Sequence, residues 1–239
     1  MYIVLLRHSE SILSNTETDT DSENNPHISD LGKKQAIETG KYLTKHFYFS
    51  KIYSSTLKRA SDTAFIIAQK NNYNKKITYD EVLNEKNKGL FSNINKQEKK
   101  NIINNNPIIK LWYSSFKNSD TFAAHKLRLK IASKYFEVSK QESTEDLEKR
   151  AKSIIYRITN ENKEDDDILI VTHASIINAI ILYLFNMKLS HYNLPRNLLP
   201  NEKTHCHITI IKYINKKFYL EMAVDNTHLK EMYDNIKNK

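Results

Sequence analysis

Two short dipeptides and one lone arginine are where chemistry can start in this chain: Arg7-His8, Thr172-His173 and Arg59. Each histidine closes an apolar run, Leu5-Leu6-Arg7-His8 in one case and Ile170-Val171-Thr172-His173 in the other. Such runs read as central strands covered on both faces. In open parallel sheets, ligands gather beyond the carboxyl ends of the strands. A third run, Tyr53-Ser54-Ser55-Thr56-Leu57-Lys58-Arg59, carries a strand into a helix that bears the second arginine. Two imidazoles and two guanidiniums can therefore meet at one sheet edge. Guanidinium forks match phosphate oxygens. A neutral imidazole is a competent nucleophile toward phosphorus, and a second can stabilise charge on the transferring group. Phosphoryl chemistry fits this set, without a Gly-rich phosphate loop, since no glycine precedes Gly32.

The elements that must position these residues alternate strand with helix. Tyr2 to Leu6 predicts the first strand, and Ser29 is the expected N-cap of a helix reaching about His46. A strand over Lys51 to Ser54 precedes a helix with Leu57, Ala60, Ala64 and Ile67 on one face, and Lys76 to Tyr79 is a weak strand. Ser143 with Asp146 marks the start of a helix carrying Leu147, Ala151, Ile154 and Ile158. Ile168 to Thr172 and Ser175 to Phe185 read as buried strand and helix. His207 to Tyr213 and Lys217 to Ala223 predict an edge hairpin, and a helix ends the chain. The pattern implies a three-layer α/β/α sandwich with a mostly parallel central sheet and an antiparallel edge strand. One domain over residues 1–239 is expected, with a helix-biased insert around 93–141 that Pro107 interrupts.

Composition narrows the function classes. In 239 residues, Lys+Arg 37 against Asp+Glu 28 gives a formal charge of +9, yet only six residues are arginine. The lysines are scattered, without the clustering or aromatic interleaving of a nucleic-acid face, so no nucleic-acid partner is expected. The single Cys206 excludes an intramolecular disulfide and suits a reducing, cytoplasmic setting. The longest apolar stretch, Ile168 to Phe185, holds Thr172, His173, Ser175 and Asn178 near its middle, so no membrane span is expected. The remaining histidines, including the alternating pair His205 and His207, lack a metal-ligand spacing. No metal site and no cofactor are expected. Oligomeric state is open, a homodimer included.

Five segments in order carry a family resemblance. Leu6-Arg7-His8-Ser9-Glu10-Ser11, Ile28-Ser29-Asp30-Leu31-Gly32-Lys33-Lys34-Gln35-Ala36 and the Ser54 to Ala64 stretch around Arg59 are three of them. Leu83-Asn84-Glu85-Lys86-Asn87-Lys88-Gly89 is the fourth, and Glu142-Ser143 with Arg150, then Val171-Thr172-His173, complete the series. Together they resemble the histidine phosphatase superfamily, in its phosphoglycerate-mutase-like branch, over roughly the first ninety residues and again from Glu142 to about Leu229. The resemblance implies that His8 is the phosphorylated nucleophile and that Arg7, Arg59 and His173 build the phosphate pocket. It makes Glu85 the proton donor and acceptor, and it places Ser11 and Asn15 as further phosphate contacts. The chain departs from the family pattern at Ser9 and Ala174, where glycine is usual, and at Asn15, one residue late. Ser9 adds a Cβ and a potential donor beside the phosphate.

The activity so implied is a metal-independent phosphomonoesterase acting through phosphohistidine on a small phosphorylated substrate. A 2,3-bisphosphoglycerate-dependent phosphoglycerate mutase uses the same core and is the alternative. Against it, the 93–141 segment holds only Arg128, with no paired arginines to hold a bisphosphorylated ligand. A catalytically silent phosphate binder is the third reading, opposed by the intact Arg7, His8, Arg59, Glu85 and His173.

Overall fold

The computed structural model describes residues 1–12, 25–91, 94, 96–117, 122–187 and 205–237. Its six-stranded sheet comprises β1 (Tyr2–Arg7), β2 (Phe49–Ser54), β3 (Thr78–Tyr79), β4 (Asp167–Thr172), β5 (Ile208–Ile214) and β6 (Lys217–Asp225). Their order is β3-β2-β4-β1-β5-β6. The first four in that order run parallel, while β5 is antiparallel to both β1 and β6. The expected mostly parallel sheet with an antiparallel edge hairpin is present. Asn215 and Lys216 form its two-residue turn, both with positive φ (50° and 59°), as the twist of a tight hairpin demands.

Apolar runs lie where both sheet faces are covered, and alternation sorts each run between two cores. Ile3, Leu5, Ile168 and Ile170 pack with Ala151, Ile154 and Ile158 of α6 (Thr144–Glu161) and Ile177 and Ile180 of α7 (Ala174–Leu184). Val4, Leu6, Leu169 and Val171 face the other way. They pack with Leu43 of α1 (Asp30–Thr44) and Ala60, Ala64 and Ile67 of α2 (Lys58–Lys70). The C-terminal helix α8 (Lys230–Lys237) adds Met232 and Tyr233 to that side. This is the expected three-layer arrangement.

The described residues fall into two compact units. The larger is drawn from Met1–Ser14, Pro26–Glu85 and Glu145–Lys239, and the smaller from Lys86–Thr144. The smaller is helical: α3 (Lys96–Asn105), α4 (Pro107–Lys117) and α5 (Phe122–Ser139). Pro107 opens α4, a position where its missing N–H costs nothing. A cluster of Phe91, Ile109 and Tyr135 forms its core, with Trp112 stacked on Tyr135 at 4.3 Å between ring centroids.

Candidate active site

The parallel strands deliver the chemistry to one edge of the sheet. His8 follows β1, Ser55 follows β2 and His173 follows β4, and the backbone ties these ends together. The His8 amide donates to Thr172 O at 2.9 Å, and the Ser55 amide donates to Val171 O at 3.0 Å. Two helices begin here as well. Arg59 lies in the first turn of α2, and His173 is the N-cap of α7. Helix N-termini present unpaired amides and a positive dipole end, so the edge suits an anion.

Arg7, His8, Arg59 and His173 are all buried, and the His8 and His173 rings lie 5.0 Å apart, centroid to centroid. His8 Nδ1 lies 2.7 Å from Ser9 O. A carbonyl can only accept, so Nδ1 carries the proton and Nε2 holds a lone pair. Arg59 Nε donates to that lone pair at 3.3 Å. Burial pushes the His8 pKa well below its ordinary value, with His173, Arg59, Arg7 and His205 adding to the effect. His173 is pushed down likewise, by burial first and then by Arg59, Arg7 and Arg150. The neutral imidazole that nucleophilic attack requires is therefore the resting form.

Glu85 follows a 3-10 turn over Glu81–Leu83 that strong bonds pin to the sheet. Asp80 caps the turn by accepting from Val82 N, and Asp80 N donates to Ser54 O. Thr172 Oγ1 donates to Leu83 O at 2.6 Å, and Arg150 Nη1 donates to both Val82 O and Asn84 O. The Glu85 carboxylate accepts from Ser175 Oγ in the first turn of α7. The acid is thus attached to the helix that His173 caps.

Ser11 is buried three residues past His8, where its backbone bridges Ile28. Asn15 lies outside the described residues. The Ser9 hydroxyl is not aimed at a substrate: Thr63 Oγ1 donates to Arg59 O and accepts from both the amide and the hydroxyl of Ser9. It links the His8 end of β1 to α2.

Three contributors escaped the sequence reading. Ser55 Oγ lies 2.9 Å from His173 Nε2, and Asn84 Oδ1 accepts from Ser55. His205, which the sequence left among the spare histidines, has its ring 5.7 Å from that of His8. Burial, Arg7 and Arg59 hold its pKa down at about 3. It arrives because β5 is antiparallel, so the start of that strand meets the ends of its neighbours. The Cys206 amide donates to His8 O, and the Arg7 amide donates to His207 O. Among the described residues, no group of three His, Cys, Asp or Glu side chains could hold a metal ion.

A family model for the histidine phosphatase superfamily, branch 1, matches residues 3–226. The chain belongs to this superfamily. It is 30% identical over 195 residues to a 2,3-bisphosphoglycerate-dependent phosphoglycerate mutase of Buchnera aphidicola subsp. Cinara cedri (strain Cc), covering 77% of this chain and 84% of that protein. The fold is similar to that of a phosphoglycerate mutase from Bacillus anthracis str. Sterne, with a TM-score of 0.70, 19% identity and coverage of 97% and 96%. A mycobacterial glucosyl-3-phosphoglycerate phosphatase is also similar, with a TM-score of 0.67, 20% identity and coverage of 94% and 99%. Enzymes of this superfamily are phosphatases or mutases.

Proposed function

We propose that this protein is a phosphomonoesterase that hydrolyses a small phosphorylated metabolite through a phosphohistidine on His8. The observation that carries this reading is the hydrogen bonding of His8, whose Nδ1 lies on Ser9 O and whose Nε2 accepts from Arg59 Nε, with the His173 ring 5.0 Å away. In the first step, Nε2 attacks phosphorus and the P–O bond to the leaving group breaks. Glu85 gives its proton to the departing oxygen. In the second, Glu85 takes a proton from water as that water attacks phosphorus, the P–N bond breaks, and inorganic phosphate leaves. Arg7 and Arg59 balance the charge on the phosphoryl oxygens throughout, the task that falls to metal ions in other phosphoryl-transfer enzymes. We place this chemistry in the cytoplasm, as the single unpaired cysteine suggests; no helix among the described residues is long and apolar enough to cross a membrane.

One observation favours mutase activity instead: the 30% identical relative is a 2,3-bisphosphoglycerate-dependent mutase. Hydrolysis is preferred because the lone arginine of the 93–141 segment, Arg128, is buried in the smaller unit with its guanidinium 4.7 Å from the Phe116 ring centroid. A panel of phosphorylated metabolites, assayed in parallel for phosphate release and for phosphoglycerate interconversion primed with 2,3-bisphosphoglycerate, separates the two. Brief mixing with labelled substrate should leave an acid-labile, base-stable phosphate on the wild type and none on His8→Ala. Full turnover by His8→Ala would falsify the nucleophile assignment.

A further inference from the structure

The hydrogen bonds behind His173 fix which of its nitrogens carries the proton. Thr56 N is a donor, and it lies 3.0 Å from Asn84 Oδ1, so the Asn84 amide must present its oxygen here. Ser55 Oγ, 2.6 Å from that same oxygen, must donate to it. Ser55 has then spent its only proton, and it already accepts from Leu57 N at 3.1 Å. Its remaining contact, His173 Nε2 at 2.9 Å, has to be one in which the imidazole donates. A neutral His173 with Nε2–H has a bare Nδ1. That atom is buried and has no hydrogen-bond partner among the described residues.

We propose that Ser55 and Asn84 are positioning residues that hold His173 as its Nε2–H tautomer, so that a fully ionised tetrahedral anion occupies the pocket only together with a proton taken from solvent onto His173 Nδ1. A lone pair facing an anionic oxygen repels it; a proton there turns the same contact into a charge-assisted hydrogen bond. The proton moves from water to Nδ1, and no other bond changes. A monoester monoanion brings the same proton on its own P–OH.

The groups around His173 agree with this linkage. Arg59 from α2, Arg7 from the end of β1 and Arg150 from α6 each oppose a charge on this imidazole, and the His8 ring lies 5.0 Å from it. His205, ahead of β5, lies on His8, and Glu85 is bonded to Ser175 on α7. A bound dianion offsets the two pocket arginines and so removes the main electrostatic obstacle to protonation. Asn84 also adjoins Glu85, so one amide aligns the phosphate imidazole and the acid-bearing turn.

This proposal rests on the phosphoryl-pocket reading, and nitrogen-15 NMR of histidine-labelled protein tests it without turnover. Loss of a signal in His173→Gln assigns the ring. The expected free protein shows protonated Nε2 and bare Nδ1. Sulfate, which brings no proton at neutral pH, should protonate Nδ1, and its affinity should fall about tenfold per unit rise in pH. In Asn84→Ala the Ser55 hydroxyl is released to donate to Nε2, so the Nδ1–H tautomer should appear and the pH slope should flatten. Ser55→Ala should mix the two tautomers. A protonated Nδ1 in the free wild type, pH-independent sulfate binding or no sulfate binding each overturns the proposal. Sulfate-coupled protonation without any hydrolase turnover overturns only the phosphatase reading.

Discussion

His8 and His173 are the same residue type in one buried pocket, yet their neighbours give them opposite tautomers. Ser9 O takes the Nδ1 proton of His8 and leaves Nε2 open toward Arg59, whereas Ser55 takes the Nε2 proton of His173. In the proposed mechanism, one ring offers its lone pair to phosphorus and the other offers its lone pair to a proton. Glu85 completes the set, with one carboxylate oxygen engaged by Ser175 Oγ. Replacing it by glutamine keeps the shape and removes the transferable proton. An alkoxide leaving group needs that proton in the transition state, and general acid help is typically worth ~10²–10⁴-fold. A nitrophenolate is stable as an anion and needs much less. Single-turnover phosphorylation of His8 in Glu85→Gln should therefore slow by about that factor for a sugar or glycerate phosphate, and by far less for nitrophenyl phosphate. Equal slowing with both would remove Glu85 as the acid.

At the scale of elements, the stretch from Ser29 to Gln35 acts as a clamp on the loop that follows His8. Ser29 Oγ accepts from Gly32 N as N-cap of α1 and donates to Glu10 Oε1, while Gln35 Oε1 accepts from Glu10 N. Gly32 is required by closeness: a Cβ there would sit 2.1 Å from the Glu10 carbonyl oxygen, a backbone atom with nowhere to go. Gly32→Ala should cost about 3 kcal/mol in denaturant unfolding and lower kcat by shifting the chain beside His8. Ser29→Ala should cost about 1 kcal/mol, the usual value of an N-cap. A Gly32→Ala protein as stable and active as the wild type would show that α1 does not set the loop. This clamp also marks how far sequence reaches. The strand ends carrying His8 and His173 were legible because fully buried strands leave continuous apolar runs that stop at the site. Ser55 and Asn84 were not, because they lie in polar connections whose partners are set only when β2, β4 and the Glu81–Leu83 turn are assembled. His205 was missed for a topological reason. The hairpin was foreseen, but its direction beside β1 is what carries residues ahead of β5, not after it, to the active edge.

Across the described residues, five buried or half-buried histidines share one electrostatic condition. Burial pushes His8 and His173 well down, His205 and His207 to about 3, and His228 to about 4. Their unfolded counterparts protonate near pH 6.5. Folded pKa values below unfolded ones mean that the unfolded chain binds more protons as pH falls. Native stability is then full above about pH 6.5 and is lost progressively below it, until the folded groups themselves titrate. The resolved downward carboxylate shifts, at the ion-paired Asp30 and Glu161, act below that range, and burial raises Asp167 with the opposite sign, so a comparison from pH 7.5 to 5 is dominated by the histidines. Each contributes up to about 1.4 kcal/mol per pH unit, so two of the five already give about 3 kcal/mol per unit below pH 6. Urea unfolding in a buffer free of tetrahedral anions should show this slope, and sulfate should restore more stability at pH 5.5 than at pH 7.5. Sulfate enters with a proton, so its stabilisation grows as that proton becomes easier to obtain. A flat stability profile over this window would mean that the folded imidazoles take up protons near pH 6.5 as the unfolded ones do, and the pocket would then not hold His8 neutral below that pH.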